Sequence, residues 1–351
     1  MAQKRASIAD MAQELNVSPS TISRALSGHH SISEAMKKKV RALAEQLHYQ
    51  PNHLAAALRK GRSNLIGVMV PHIEGNFFAA VVHGIETVAR KAGFNVMICQ
   101  SNEDVNSEKQ NIEAMMSAQV EGILVSLART TRDFRHFEKI RRREIPLVLF
   151  DRTLEHVNVS SVVIDDYLGA FQLVQHLIDQ GARRIAHFEG PRHLNIYNNR
   201  FRGYHDALIS NGLEVDEQLI HYGNLTYAEG LEAMEKLLAL PNPPDAVFSS
   251  SDMGALGAMH VLKARGLRIP DDMLLAGFSN EPITSFTEPM LTSVDQRCEQ
   301  MGQAAVKLLL EIMHEKPKDF LPRRIVLPPD VLIRASSLLH KEAATPEPVL
   351  R

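Results

Sequence analysis

The chain has 351 residues, enough for two or three domains, and its 44% apolar and 23% charged residues sit near the globular average, which excludes a disordered or fibrous protein. It has no run of eighteen apolar residues, no apolar stretch after the basic pair of MAQKRASIAD, and only two distant cysteines, Cys99 and Cys298, so neither a membrane span nor a secretory signal is expected and a cytoplasmic setting is. The net charge of −2 hides a division: residues 1–62 hold ten Lys/Arg against four Asp/Glu, while residues 63–351 hold 29 against 37, the footprint of a chain whose first part meets a polyanion.

In chain order, Ser7 precedes Ile8, Met11, Ala12 and Leu15 at helical spacing, with Asp10 placed for a capping box. Asn16 and Val17 form a tight break. Ser18 then caps a second helix whose first residue is Pro19, where a missing N–H costs nothing, and Gly28 stops it. A third helix starts after Ser33, buries Met36, Val40, Leu43, Ala44 and Leu47, and ends before Pro51. A short helix-prone piece, residues 52–59, follows.

From Leu65 the period changes. LIGVMV closed by Pro71, a helical pattern through Phe78, Val81, Val82, Ile85 and Val88, and a strand from Phe94 make the unit of a parallel sheet. Further strands are expected at residues 122–126, 147–150 and 162–164. The second half echoes the first: strand, Pro71, helix, Gly84 and Gly93 correspond to strand, Pro191, helix, Gly203 and Gly212. A Ser107-capped helix before GILVS likewise matches a Thr226-led helix before AVFSS. Two copies of one α/β unit imply two lobes with a cleft between them; the rival is two unrelated α/β stretches with chance glycines.

No phosphate loop, zinc-helix motif or nucleophile elbow occurs, and the sixteen histidines show no helical metal spacing, so no catalytic residue, metal or cofactor is expected. Asp165 and Asp166 fit a helix cap better than a metal site. The most informative segment is 7–26. A helix-turn-helix puts its second helix in the DNA major groove, and here that helix offers Ser18, Pro19, Ser20, Thr21, Ser23 and Arg24, short hydrogen-bonding groups with one guanidinium able to grip guanine. The plainer alternative is a solubilising face on a small bundle.

VSPSTISRAL, the stretch from HHSISEAMKKK to LAAALRKG, and PHIEGNFFAAVVHGIE together resemble the LacI family of bacterial repressors, from about residue 7 to 337. The resemblance implies an α/β protein with an all-α helix-turn-helix headpiece (1–51), a hinge helix and linker (52–62), and a two-lobed core similar to periplasmic sugar-binding proteins, with parallel sheets (63–337). The first lobe is expected at about 63–163 with 293–325, the second at about 164–292 with 326–337, and a short tail at 338–351. It also implies a homodimer on a pseudo-palindromic operator and a small effector in the cleft.

Family roles fall residue by residue on this sequence. Base-reading positions match Pro19, Ser20 and Arg24, with Ser18, Thr21, Ser23, Ser27 and Ser31 near phosphates; Pro19 donates no hydrogen bond and is expected against a thymine methyl. The hinge matches at Asn52, His53, Leu54, Ala55 and Leu58, with Leu58 as the minor-groove wedge. Effector positions match Pro71, Gly75, Phe77, Phe78, Asp151, Arg200, Leu225, Ser251, Ser279 and Gln296, whereas Asp252 fits a hydrogen bond inside a lobe. Tryptophan is absent, Leu225 stands where some sugar-responsive members have an aromatic, and Ser279 where many have an acid. The expected effector is a carbohydrate or its phosphate. Two prolines and no leucine heptads in HKEAATPEPVLR argue for a dimer without a tetramerising helix.

The expected function is therefore an effector-switched repressor of carbohydrate genes, not an enzyme; the alternative is a sugar-binding protein for transport or sensing, which the headpiece argues against. An eight-residue hinge helix is unstable alone and should form only on DNA with a partner. Leu58→Ala should thus weaken operator binding much more than random-duplex binding and reduce bending. Gel shift and end-to-end energy transfer on the two DNAs check this, and an equal loss on both would make Leu58 a folding residue.

Overall fold

The computed structural model describes residues 6–47, 49, 63–154, 157–314 and 321–339, in two compact units, 1–63 and 64–351. The hinge positions Asn52, His53, Leu54, Ala55 and Leu58 and the last twelve residues of the tail lie outside the described residues.

The first unit is three helices, α1 (Ile8–Glu14), α2 (Pro19–Leu26) and α3 (Glu34–Gln46). Local chemistry sets each start: Ser7 and Asp10 form the reciprocal capping box, Ser18 accepts from the Thr21 N–H with Pro19 at the first helical position, and Ser33 accepts from Met36. Asn16, at φ 50°, makes the turn, and Gly28, at φ 71°, ends the second helix. Met11, Ala12, Ile22, Ala25, Val40 and Leu43 form the core; Met36, Ala44 and Leu47 are half-buried at its edge, and Lys37 is buried with its ammonium on Glu34.

The second unit holds two parallel sheets. In the first lobe run β1 (Leu65–Val70), α4 (Asn76–Lys91), β2 (Asn95–Gln100), α5 (Val105–Ser117), β3 (Gly122–Val125), α6 (Glu138–Arg142), β4 (Leu147–Phe150) and β5 (Ser160–Ile164). In the second run α7 (Asp166–Asp179), β6 (Ile185–Glu189), α8 (Asn195–Ser210), β7 (Ile220–Tyr222), α9 (Tyr227–Leu238), β8 (Ala246–Ser249), α10 (Asp252–Ala264) and β9 (Leu274–Ala276). β10 (Ser293–Asp295), α11 (Cys298–His314), β11 (Arg324–Leu327) and β12 (Asp330–Leu332) complete the chain. The sheet orders are β2-β1-β3-β4-β5-β11 and β7-β6-β8-β9, so β6 sits between its neighbours as β1 does. β10 pairs antiparallel with β12.

The chain passes between lobes at Asp165, between β10 and α11, and between β11 and β12. One apolar cluster runs continuously from Ile66, Val68 and Phe78 of the first lobe to Tyr204, Phe248 and Phe278 of the second. Ser107 does not cap α5. Asp104 does, accepting from the Ser107 N–H at 2.9 Å, because its carboxylate lies one residue before the helix whereas Ser107 is already inside it.

The paired glycines do two different jobs. A methyl on Gly84 would strike the Glu299 carbonyl oxygen, and one on Gly203 the Tyr167 carbonyl oxygen, so each permits a close crossing, of α4 with α11 and of α8 with α7. Gly93 and Gly212, at φ 82° and 68° with open space around them, supply the left-handed turn after the helix. Gly203→Ala should therefore lower thermal stability far more than Gly212→Ala, which carries only a backbone cost of about 1–2 kcal/mol; calorimetry on both variants checks the order.

His187 is wholly buried, its Nδ1 donating to the Phe248 carbonyl at 3.1 Å, its ring stacked between Tyr204 and Phe248 at 4.7 Å from each. Burial pushes its pKa down to about 3. An unfolded histidine titrates near 6.5, so the unfolded chain binds a proton that the folded chain refuses. Stability is full above that pH and is lost as pH falls toward 3, by about 2 kcal/mol at pH 5. Asp166 and Asp252, each pushed up to about 6, work in the opposite sense. Urea midpoints of wild type and His187→Phe at pH 7 and 5 isolate the histidine: the variant should lose about that much less on acidification.

Candidate functional site

In the first unit, Ser18, Pro19, Ser20 and Arg24 of the second helix and its start are exposed, as are Ser27 and Ser31, while Thr21 and Ser23 are half-buried. Ser18 Oγ hydrogen-bonds with Ser20 Oγ at 2.7 Å and Thr21 Oγ1 at 2.9 Å, so capping the helix also orients its first hydroxyls. The Arg24 side chain has no hydrogen-bond or ion-pair partner among the described residues, and Ser31 is held by His29 Nδ1 at 2.8 Å. An exposed row of hydroxyls and a proline at a capped helix start, with the Arg24 guanidinium in the last turn of the same helix, can meet phosphates and base edges.

In the second unit Arg200 is the centre of a buried polar network. Its Nε donates to Asp166 Oδ1 at 2.8 Å and its Nη atoms to the Ser250 carbonyl at 2.9 Å and Gln296 Oε1 at 3.0 Å, over the Phe278 ring at 3.8 Å. Gln296 Nε2 in turn donates to Ser279 Oγ at 2.9 Å. Arg200, Gln296 and Ser279 thus form one network. Arg200 is 3% exposed and Asp166 1%, so this is a buried pair rather than the surface one a lone arginine suggests. Burial pushes the Asp166 carboxyl up to about 6 against the pull of Arg200. Asp166 Oδ2 and Ser250 Oγ, both buried, have no hydrogen-bond partner among the described residues.

Asp151, buried at φ 59°, accepts from Ser126 Oγ at 3.1 Å, and burial raises its pKa against the nearby arginines 152 and 200. Phe78 is buried and meets Phe77 and His72 edge to face at 4.8 and 5.3 Å. Pro71 is buried, Gly75 ends the loop at the start of α4 with φ 85°, and Ser251 caps α10 through the Met253 N–H. Leu225 is not part of the Arg200 network: it packs in the second lobe's apolar cluster with Phe188, Leu194 and Ile196, its backbone at φ 62°. Asp165 caps α7 through the Leu168 N–H, while Asp166 serves Arg200 instead. Asp252 accepts from Ser293 Oγ at 2.6 Å and from the Glu281 N–H at 2.8 Å.

Residues that the sequence did not single out join the lobes. The Asn76 N–H donates to Glu281 Oε2 at 3.1 Å. Asn195 takes the Thr153 N–H at 2.6 Å and gives its amide to the Asp151 carbonyl at 3.0 Å. Arg129 reaches Asn224 at 2.6 Å, and His193 Nε2 donates to the Arg129 carbonyl at 2.7 Å. Their only sequence signal was position, in loops after strands, where ligands of open α/β sheets gather.

Residues 7–52 match the family described as "Bacterial regulatory proteins, lacI family", and residues 174–337 match "Periplasmic binding protein-like domain". The chain is 35% identical over 324 residues to catabolite control protein A of Priestia megaterium, covering 91% of this chain and 97% of that protein. The transcriptional regulator CelR, solved as its cellobiose complex, is similar at TM-score 0.71 and 30% identity over 95% of this chain and 100% of that one. The lac repressor dimer bound to operator and an anti-inducer shares the fold, at TM-score 0.85 and 24% identity over 96% and 100%. A capped helix-turn-helix ahead of two parallel-sheet lobes, with relatives of this identity along nearly the whole chain, makes the protein a member of the lacI family of bacterial regulatory proteins, a DNA-binding regulator of transcription.

Proposed function

We propose that this regulator represses carbohydrate genes in the cytoplasm, as a homodimer on a pseudo-palindromic operator, and that a small polar effector in the cleft switches its affinity for DNA. The observation that carries the effector reading is the seat of Arg200. It bonds Asp166, which opens the helix after the first crossover, and Gln296, which stands in the second, so a ligand oxygen drawing on this guanidinium acts on the segments about which the lobes turn. The unpartnered Asp166 Oδ2 and Ser250 Oγ suit sugar hydroxyls. A ligand shifts lobe angle only through its different affinity for the two arrangements, and coupling that angle to the paired hinges makes it a change in operator affinity.

In this reading Pro19, Ser20 and Arg24 meet bases, the neighbouring serines and Thr21 meet phosphates, and Asn52, His53, Ala55 and Leu58 form the DNA-dependent hinge. Pro71, Gly75, Phe77, Phe78, Asp151, Ser251 and Ser279 surround the effector, whereas Leu225 packs in the apolar cluster of the second lobe. Cellobiose bound by CelR and the operator-bound dimer of the lac repressor support the ligand class and the assembly. No helix among the described residues is long and apolar enough to cross a membrane. The reading assigns the chain no catalytic step.

Arg200→Ala leaves a buried carboxylate alone and should cost about 3–5 kcal/mol of stability, so loss of response in that variant would be ambiguous. The double variant Arg200→Gln with Asp166→Asn removes both charges together. It should bind an operator selected from random duplexes nearly as wild type does, and lose the change in affinity that cellobiose, ribose or glucose 6-phosphate produces in wild type. An unchanged response would remove Arg200 from the effector site.

A further inference from the structure

Residues 129–143 hold seven Lys/Arg against two Asp/Glu, within a core of acidic balance. This segment and the neighbouring α5 enclose a cavity of about 620 Å³ whose lining comes from the first lobe alone, so it is not the cleft between the lobes. Lys109 of α5 and Arg132, Arg135 and Lys139 of the basic segment stand around it, with Ile112 and His136.

A buried polar group distinguishes this cavity from a solvated cluster of charges. The His136 side chain is 8% exposed, and its Nε2 donates to Glu108 Oε1 at 2.6 Å. Glu108 is wholly buried and also accepts from the Ala128 N–H and from Thr131 Oγ1, each at 2.9 Å, so its carboxylate sets both the orientation of the ring and its tautomer. The polar atom left to His136 is Nδ1, which has no hydrogen-bond partner among the described residues. At the rim, Lys139 pairs with Glu113 and Arg135 with Asp133. Lys109 and Arg132 are exposed and have no hydrogen-bond or ion-pair partner among the described residues. Both acidic side chains of the rim are thus engaged, and two cations are left over.

We propose that this cavity is a second ligand site, outside the cleft, for a small organic anion that carries two or more carboxylates or phosphates and a hydroxyl. Its anionic groups meet Lys109 and Arg132, which give up no existing ion pair to receive them. Its hydroxyl donates to His136 Nδ1 and so satisfies a nearly buried acceptor. Ile112 and the alkyl stems of the basic side chains cover its carbon skeleton, and the volume lies within the range of small-molecule sites. Glu108, which holds His136, also holds Ala128 and Thr131 on either side of Arg129, and Arg129 bonds His193 and Asn224 of the second lobe. A ligand on His136 therefore bears on the contact between the lobes from outside the cleft. The proposal does not depend on which ligand the cleft takes.

Calorimetric titration of the full chain at fixed ionic strength tests it, with citrate as the carboxylate probe and 3-phosphoglycerate as the phosphate probe. Each is run beside its analogue without the hydroxyl, tricarballylate and 3-phosphonooxypropionate. At least one of the two hydroxy acids should bind saturably and more tightly than its own analogue. Arg132 also borders the space between the lobes, so Lys109 is the position to change. Lys109→Gln should weaken that binding by about threefold to tenfold, while Arg141→Gln, at an exposed arginine outside the cavity, should not. The double variant Arg200→Gln with Asp166→Asn should bind the same anion as wild type does, which separates this site from the cleft. Absence of saturable binding by both hydroxy acids, equal affinity for the analogues, an unchanged Lys109 variant, an equal loss in the Arg141 variant, or a loss in the double variant would overturn the proposal.

Discussion

Taking the Arg200 guanidinium and the Asp166 carboxylate out of water together costs several kcal/mol, and their attraction offsets this only where the remaining donors and acceptors are also matched. Here the Ser250 carbonyl, Gln296 and the Phe278 face do most of that matching. The partners are drawn from the start of α7, the end of β8 and the segment before α11, so satisfying one buried cation fixes how both neighbouring crossovers meet the second lobe. Asp166 Oδ2 is left without a hydrogen-bond partner among the described residues, and burial pushes its carboxyl up despite Arg200. A buried site with an unmatched acceptor gains from a further hydrogen-bonding group.

The same arrangement explains why polar groups crowd the cleft. Both sheets are parallel with their first strand in the interior, so in each lobe the loops after the carboxyl ends converge on the crevice. Asp151, Arg129, Arg192 and Asn195 all sit on such loops or at the helix starts that follow them. Close helix crossings at Gly84 and Gly203 pack the layers behind these loops, from which Asn195, Glu281 and His193 make their interlobe bonds.

The headpiece follows a different logic. Its core of six buried apolar side chains is small, and caps contribute on the scale of about 1 kcal/mol each, so Ser7, Ser18 and Ser33 matter there more than any one serine does in the lobes. Capping also leaves Arg24 and the hydroxyls around Ser18 facing solvent, joining stability and recognition in the same few residues.

Local rules acting on local sequence decided much of this protein. The serine caps of the headpiece, the Pro19 start, the Gly28 stop, apolar runs for β1 to β6 and the glycine spacing of the two halves were legible, because capping, turn conformation and hydrophobic period depend on a few adjacent residues; the cap of α5 was misplaced by three residues, from Asp104 to Ser107. The headpiece and the identity of the strands follow from them. β10 and β12 were not legible, being three-residue strands that exist only because the chain recrosses between lobes and pairs with itself. The role of Asp166 was hidden for the same reason: beside Asp165 it looks like a second cap, and only the approach of Arg200, 34 positions on, makes it an ion-pair partner. Leu225 belongs to the buried apolar cluster of the second lobe, a placement its position after β7 does not announce. Asn195, Glu281 and Arg129 gained their cross-lobe partners only when two lobes, each determined by its own pattern, were brought face to face. Contacts of that kind depend on distances in space, which residue spacing along the chain does not encode.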